Sequence, residues 1–368
     1  MKNPSPISGP HTHAANDVQI VMLKVMFTLL PATLYGIYIF GWPALNIFAV
    51  SIIAALVSEA FCLHLLGKPI KFFLFDGSAI LTGWLLAMTL PPWTPWWIAV
   101  IGSVFAIVVG KQVFGGIGQN IFNPAMLARV VLLISFPLEM TTWTSPYPLF
   151  STSGPDFLEG LEITFLSQVP VDAVSGASIL GDISTNLGMG HSLSEILVRN
   201  ADSENLVNGF IKGSMGETSA ILLLAGGLLL IAMRIISWHI PLAMMGSIAL
   251  LAGFFHLVNP EQYASPWLHV FSGGAILGAF FIATDLVTSP NSKLGKIIFG
   301  AGCGSLVYII RTWGGYPEGV AFAIVLMNAV TPLIDYYVRP RIYGYQRKGV
   351  AMEYDEKRIA SLANTEKD

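Results

Sequence analysis

Charge is what this sequence has least of. Only 11% of its 368 residues are Asp, Glu, Lys or Arg, against about 25% in a soluble domain. Hydrophobic residues make up 54%, and the mean hydropathy is +0.66. So few charges cannot clothe a soluble body of this size. Cysteine is nearly absent: Cys62 and Cys303 both fall inside apolar runs, and there is no CxxC pair. That excludes an iron–sulfur cluster or a structural zinc held by this chain alone, and both thiols read as small buried hydrophobes. No metal site is expected, since His11 and His13 form a pair without further ligands. A positive excess is missing too. The net charge of −3 excludes nucleic acid as an expected partner. No Gly-rich nucleotide-binding pattern follows a strand-like run, so nucleotide chemistry is not expected here.

What the chain does have is long apolar runs, which read as an all-α polytopic membrane protein. A polar arm, residues 1–17, leads into span candidates at about Val18–Phe40, Pro43–Leu66, Phe75–Leu90, Trp96–Val113 and Ile121–Phe136. The first run is span-length behind a polar arm, so no cleavable signal peptide is expected. Residues 138–216 form a long polar connection with nine acidic residues against Arg199 and Lys212. Connections this long in compact proteins are usually functional. Apolar runs resume at about Thr218–Ser237, Ile240–Val258, Leu268–Val287, Gly295–Ile310 and Gly319–Val338, and a charged tail, 339–368, follows. About ten transmembrane helices are therefore expected, in blocks 18–137 and 217–338.

Ten spans place both termini on one side. Lys68, Lys71, Lys111, Arg234, Lys293, Lys296 and the tail basics then share that side, with Arg311 the exception. The positive-inside rule makes it the cytoplasm of a bacterial cell, with the acidic loop periplasmic. Gly77-Ser78-Ala79-Ile80-Leu81 is matched by Gly273-Gly274-Ala275-Ile276-Leu277, and Phe114-Gly115-Gly116 by Trp313-Gly314-Gly315. Two halves of five spans each must cross in opposite senses, which is an inverted repeat.

Within the long connection, Asp172-Ala173-Val174-Ser175-Gly176-Ala177-Ser178 draws notice. A serine hydroxyl among small residues offers an unhindered acceptor for a phosphoester, and Asp172 is placed to help bind a metal or a modifying enzyme. On the residues alone, an ordinary serine in an exposed turn stands beside that reading. Ser175 and Thr185 are neighbouring hydroxyls. Ionisable residues within spans are functional candidates by default. Glu59, Asp76, Arg129, Asp285 and Asp335 qualify, the first four as candidates for an ion route. Glu59 and Arg129 lie deepest, and an ion pair between them is the alternative. Asn123-Pro124 and Asn328 with Pro332 are places where a helix breaks or kinks. His64, His256 and His269 fit packed or interfacial side chains better than haem ligands.

Several segments, in order along nearly the whole chain, carry a family resemblance. They are Ser8 to Thr12, Asp76 to Ala79 with Thr82-Gly83, Leu90-Pro91-Pro92, Gly110-Lys111, Phe114 to Asn120, Phe122 to Met126, the Asp172–Ser178 heptapeptide, and Ala283 to Asp285 with Thr288 to Pro290. The chain resembles the RnfD membrane subunits of Rnf complexes, the bacterial ion-translocating ferredoxin:NAD oxidoreductases. It is also similar to the homologous NqrB membrane subunits of the sodium-translocating NADH:quinone reductase. The resemblance implies FMN joined through its phosphate to the last residue of an Asp-x-x-Ser/Thr-Gly-Ala-Thr motif, with Asp172, Ser175, Gly176 and Ala177 around it. The acceptor here is Ser178, where the family has threonine. It further implies electron relay coupled to Na⁺ or H⁺ movement, a second non-covalent flavin, iron–sulfur and further flavin subunits as partners, and a flavin transferase for maturation. The competing reading is a cofactor-free channel or secondary transporter, which explains spans and repeat but gives the heptapeptide no purpose.

Overall fold

The structure, a computed structural model, describes residues 17–151, 154–167, 175–176, 178–189, 191–193, 195–196, 210–316 and 318–340. Asp172, Ala177 and the terminal arms lie outside these residues. Among the described residues almost all regular structure is helical: α1 Val18–Leu65, α2 Ile70–Leu74, α3 Ser78–Thr89, α4 Trp96–Ile107, α5 Pro124–Ser135, α6 Pro137–Thr141, α7 Phe157–Leu161, α8 Ile179–Gly188, α9 Ala220–Ala232, α10 His239–Val258, α11 Pro266–Phe271, α12 Ala275–Leu277, α13 Lys293–Trp313 and α14 Val320–Tyr337. The exception is a short antiparallel ladder of β1 Trp143–Thr144 with β2 Ser175–Gly176.

Apolar runs become helices because lipid offers no partner to a free N–H or C=O. By length and composition α1, α10, α13 and α14 are able to cross a membrane, and α3, α4, α5 and α9 are shorter apolar helices. The 48 residues of α1 make a rod of roughly 70 Å, about twice a hydrocarbon core of about 30 Å. The rod is bent at Gly41, whose φ of 74° belongs to glycine. A bend frees carbonyls, and two just before it have donors: Leu149 N–H bonds Tyr38 O at 2.8 Å and Trp93 Nε1 bonds Phe40 O at 3.1 Å. The expected boundary between Phe40 and Pro43 thus falls on the bend.

Glycines bring the helices together. A Cβ on Gly83 would lie 2.8 Å from Ser51 O, where α3 crosses α1, and one on Gly300 would lie 2.7 Å from Ile240 O, where α13 crosses α10. Two expectations need correction. Leu268–Val287 is not one helix: α11 stops at Phe271, Gly273 takes φ 65°, and α12 leads into a π turn, Gly278–Ile282. The Ser272-Gly273-Gly274 run breaks it. Asn123-Pro124 does not kink a helix but starts one. Asn123 Oδ1 accepts from the Ala125 and Met126 N–H groups, and Pro124 occupies the first turn of α5.

The long connection folds back onto the helices. Asn46 Nδ2 donates to Gly160 O at 3.1 Å, and Trp42 packs edge-on against Phe157 at 5.2 Å. Leu180, Ile183, Leu193, Ile196 and Ile211 form a small core of their own with Ala264 and Leu268. That core seats α8 on the segment between α10 and α11.

Candidate functional site

The heptapeptide is anchored at two points. Its backbone at Ser175–Gly176 pairs with Thr144 and Trp143, the stretch just after α6. Ser178 then caps α8, its Oγ accepting the Gly181 N–H at 3.3 Å. Ser178 is only 4% exposed, so the accessible hydroxyl expected from small neighbours is instead buried at a helix N-terminus.

Beside α8 lies a cavity of about 250 Å³, lined by Leu180, Ile183, Leu187, Tyr263, His269, Arg311 and Trp313 among others. Its aromatic wall continues into Phe255 and Tyr308: ring centroids stand 5.0 Å apart for Phe255–Trp313 and 5.9 Å for Tyr308–Trp313. His269 Nδ1 and Arg311 Nε are buried here without partners. Arg311, the exception to the positive-inside pattern, has a structural reason to be where it is. Its guanidinium donates to His269 O at 2.6 Å and Ser272 O at 3.1 Å, the carbonyls freed where the chain breaks before α12.

Arg129 lies over the Trp143 ring at 5.8 Å, and Trp143 is the residue that pairs with Gly176 in the ladder. Its ion-pair partner is Glu318, at 3.7 Å. Glu318 in turn meets Glu217 carboxyl to carboxyl. Glu217 Oε1 accepts from Ser214 Oγ at 2.8 Å and Ser214 N–H at 3.3 Å. Both acids sit in the connections ahead of α9 and α14. Burial, then the Glu318 charge, push Glu217 well above the usual carboxylate range. For Glu318 burial pushes up as well, but the Glu217 hydrogen bond and the Arg129 and Arg311 charges outweigh it and hold the group low.

A second polar cluster lies at the other end of the helices. Glu59, 1% exposed, does not pair with Arg129 but with Lys111, 3% exposed. Lys111 Nζ donates to Glu59 Oε1 at 2.6 Å, Glu59 Oε2 at 2.8 Å and Ser78 Oγ at 2.6 Å, using all three protons. Gln112 Nε2 adds a bond to Glu59 Oε1 at 3.0 Å, and Asp76 accepts from the Ser78 N–H and hydroxyl. A cleft of about 100 Å³ opens beside this cluster. Ser78, Lys111, Asn120, Asn123, Thr284 and Asp285 give it polar groups, and Val21, Leu81 and Phe280 apolar walls. Asp285 is held by the Val287 N–H, Thr288 Oγ1 and the Asn123 amide. The structure therefore puts Asp285 on this cleft, with Glu59 and Asp76 one hydrogen bond behind its Lys111 and Ser78, and sends Arg129 instead to Glu318. Asp335 binds Asn291 at 3.0 and 3.1 Å. Among the described residues no three metal-type ligands cluster.

The sequence alone marks Lys111 as an inner-side cation and as part of the Gly110-Lys111 family segment, not as a partner of Glu59, and does not mark Glu217 or Glu318. Lys111 carries a signal, since it stands inside an apolar run, where an ionisable group is costly.

Residues 6–344 match the model of the NQR2, RnfD, RnfE family. The chain belongs to that family. Relatives within it include the D subunit of an ion-translocating oxidoreductase complex from Stutzerimonas stutzeri, 53% identical over 91% of this chain and 94% of its own length. The protein of that description from Halorhodospira halophila is 48% identical over 95% and 98%, and that from Escherichia fergusonii 42% identical over 93% and 98%. The match spans both polar clusters, the Ser178 region and all the helices from α1 to α14, so family membership concerns the whole helical body.

Proposed function

We propose that this chain is the flavin-bearing membrane subunit of an ion-translocating oxidoreductase complex, with FMN joined through its phosphate to Ser178. The observation that carries it is the place of Ser178 as the N-cap of α8, the helix whose Leu180, Ile183 and Leu187 line a cavity with an aromatic wall and unpartnered polar groups. A helix N-terminus favours a phosphate, so the residues fit the group. When bound, the flavin supplies one- and two-electron transfer. The protein's part is different. The Gly181 N–H and the dipole of α8 hold the phosphate end. Tyr263 and Trp313 offer ring faces and keep water out. Arg311 and His269 supply polar contacts at the inner wall. The Asp172 carboxylate serves the transferase or its metal, and the paired backbone of Ser175 and Gly176 sets the path toward Ser178.

The second, non-covalent flavin has support in the cleft between Lys111 and Asp285, which combines apolar walls with amide and hydroxyl groups. Asp285 on that cleft, with Glu59 and Asp76 reached through Lys111 and Ser78, supports an ion route with Na⁺ or H⁺ as cargo, in which Lys111 must release Glu59. Partners are the other subunits of the complex, including iron–sulfur and flavin subunits, in the bacterial inner membrane. Ten spans are supported by the bend in α1 and the five apolar segments on either side of the long connection. The inverted repeat is supported by Gly77 and Gly273, which both take positive φ ahead of a helix. Gly115 and Gly116 take positive φ and Gly314 does not, so the second sequence match carries no matching conformation.

Peptide mass spectrometry on protein from its native membrane decides the flavin. An FMN mass on the Ser178 peptide, absent from Ser178→Ala, is expected. An unmodified peptide, from cells that flavinylate a control protein, would remove the covalent site.

A further inference from the structure

Glu217 and Glu318 have no part in the function proposed above, yet their surroundings are built. Glu217 is 5% exposed. Glu318 keeps 17% of its side-chain surface, but its Oε1 is sealed from solvent and has no donor. The oxygens are not equivalent. Glu217 Oε1 accepts twice from Ser214, which makes Oε2 the better place for a proton. Glu318 Oε2 is taken by Arg129, which leaves Oε1. Two carboxylates in hydrogen-bond contact repel unless one proton lies between them. A proton on Glu217 Oε2 supplies the donor that Glu318 Oε1 lacks.

We propose that Glu217 and Glu318 form an exchangeable proton-binding site, one proton shared between Glu217 Oε2 and Glu318 Oε1, at the end of the molecule that carries Ser178. The charged groups facing the pair are each other, Arg129 of α5 and Arg311 of α13; the Ser214 hydroxyl and the Gly274 N–H are the neutral donors. With the proton held, the four residues carry a net +1. Release breaks the O–H bond at Glu217, passes the proton to water and leaves two carboxylates against two guanidiniums, a neutral set. Arginine charges face both carboxylates, so the site switches without stranding a buried anion. Because Arg311 also lines the cavity beside α8, charge entering that cavity shifts the balance: an anion favours the held proton. The pair stands whether or not Ser178 carries a flavin.

Infrared spectroscopy of the purified complex tests this. At neutral pH a protonated-carboxyl band is expected, shifted in D₂O and lost as pH rises. Glu217→Gln should keep the amide contact and lose the band, and Glu217→Asp should restore one at an altered frequency. Arg311→Gln removes a positive charge and should move loss of the band to higher pH, whereas Arg311→Lys should leave it near its original place. A wild type with no D₂O-sensitive carboxyl band would overturn the site, as would a band unchanged in both Glu217 variants. The wild-type spectrum needs no variant to fold. Since the band is expected in Ser178→Ala as well, its absence is separable from failure of the flavin reading.

Discussion

Lys111 and Glu59 show how much a single side chain carries in this molecule. A buried ion pair whose hydrogen bonds are all made is tolerable, but either partner alone is not: removing one leaves the other charged and desolvated, at a cost of about 3–5 kcal/mol. Glu59→Gln and Lys111→Met are each expected to lower thermal stability in detergent by that order. The double variant should cost less than the two together, because no stranded charge remains. Strictly additive losses would show that the two do not act as a pair. This pairing was beyond sequence reading. Glu59 and Arg129 both announced themselves as ionisable residues in apolar runs, but which cation meets which acid is settled by the packing of α1, α4 and α5. Ser178 was legible as a hydroxyl among small residues, whereas its burial was not, because the small core under α8 draws on residues from distant parts of the chain.

Among the elements, α10 and α13 make the closest crossing. A Cβ on Gly304 would lie 2.2 Å from the Met244 carbonyl, whereas one on Gly246 meets nothing within 4 Å. Gly304→Ala should therefore force the helices apart and destabilise by about 1–3 kcal/mol. Gly246→Ala, in the same helix pair, should stabilise by up to about 1 kcal/mol through helix propensity alone. Melting temperatures moving in opposite directions are the expected result, and equal losses would sink the packing explanation. The helices were readable because lipid leaves the backbone one choice. The break before α12 was not, because Ser272-Gly273-Gly274 interrupts an apolar run without lowering its hydropathy enough to stand out. Gly41 was readable since Trp42-Pro43 punctuates it.

For the whole molecule the testable matter is which end faces which compartment. Phe150 is 90% exposed in the long connection, and Phe72 is 76% exposed in α2, beyond the far end of α1. In a chain carrying Cys62→Ser and Cys303→Ala, Phe150→Cys should react with a membrane-impermeant maleimide on intact spheroplasts. Phe72→Cys should react only after permeabilisation. The opposite pattern would invert the topology and move the cavity beside α8 to the cytoplasm. The orientation rests on cation counting, and Arg311, counted as an exception, belongs to the packing of a broken helix. Coordination of two carbonyls fixes its place, so it says nothing about the direction of insertion.

Ser178 also sets a timetable. A hydroxyl that closes the first turn of a helix, and is almost wholly covered, is out of reach of any enzyme acting on the finished fold. If Ser178 takes the flavin as proposed, the transferase has to arrive while the connection is still undocked, before the core of Leu180, Ile183 and Leu268 has closed. A phosphate added then would cap the helix better than the hydroxyl it replaces. The late step of maturation would run downhill, and a chain that folded too early would be left permanently unlabelled.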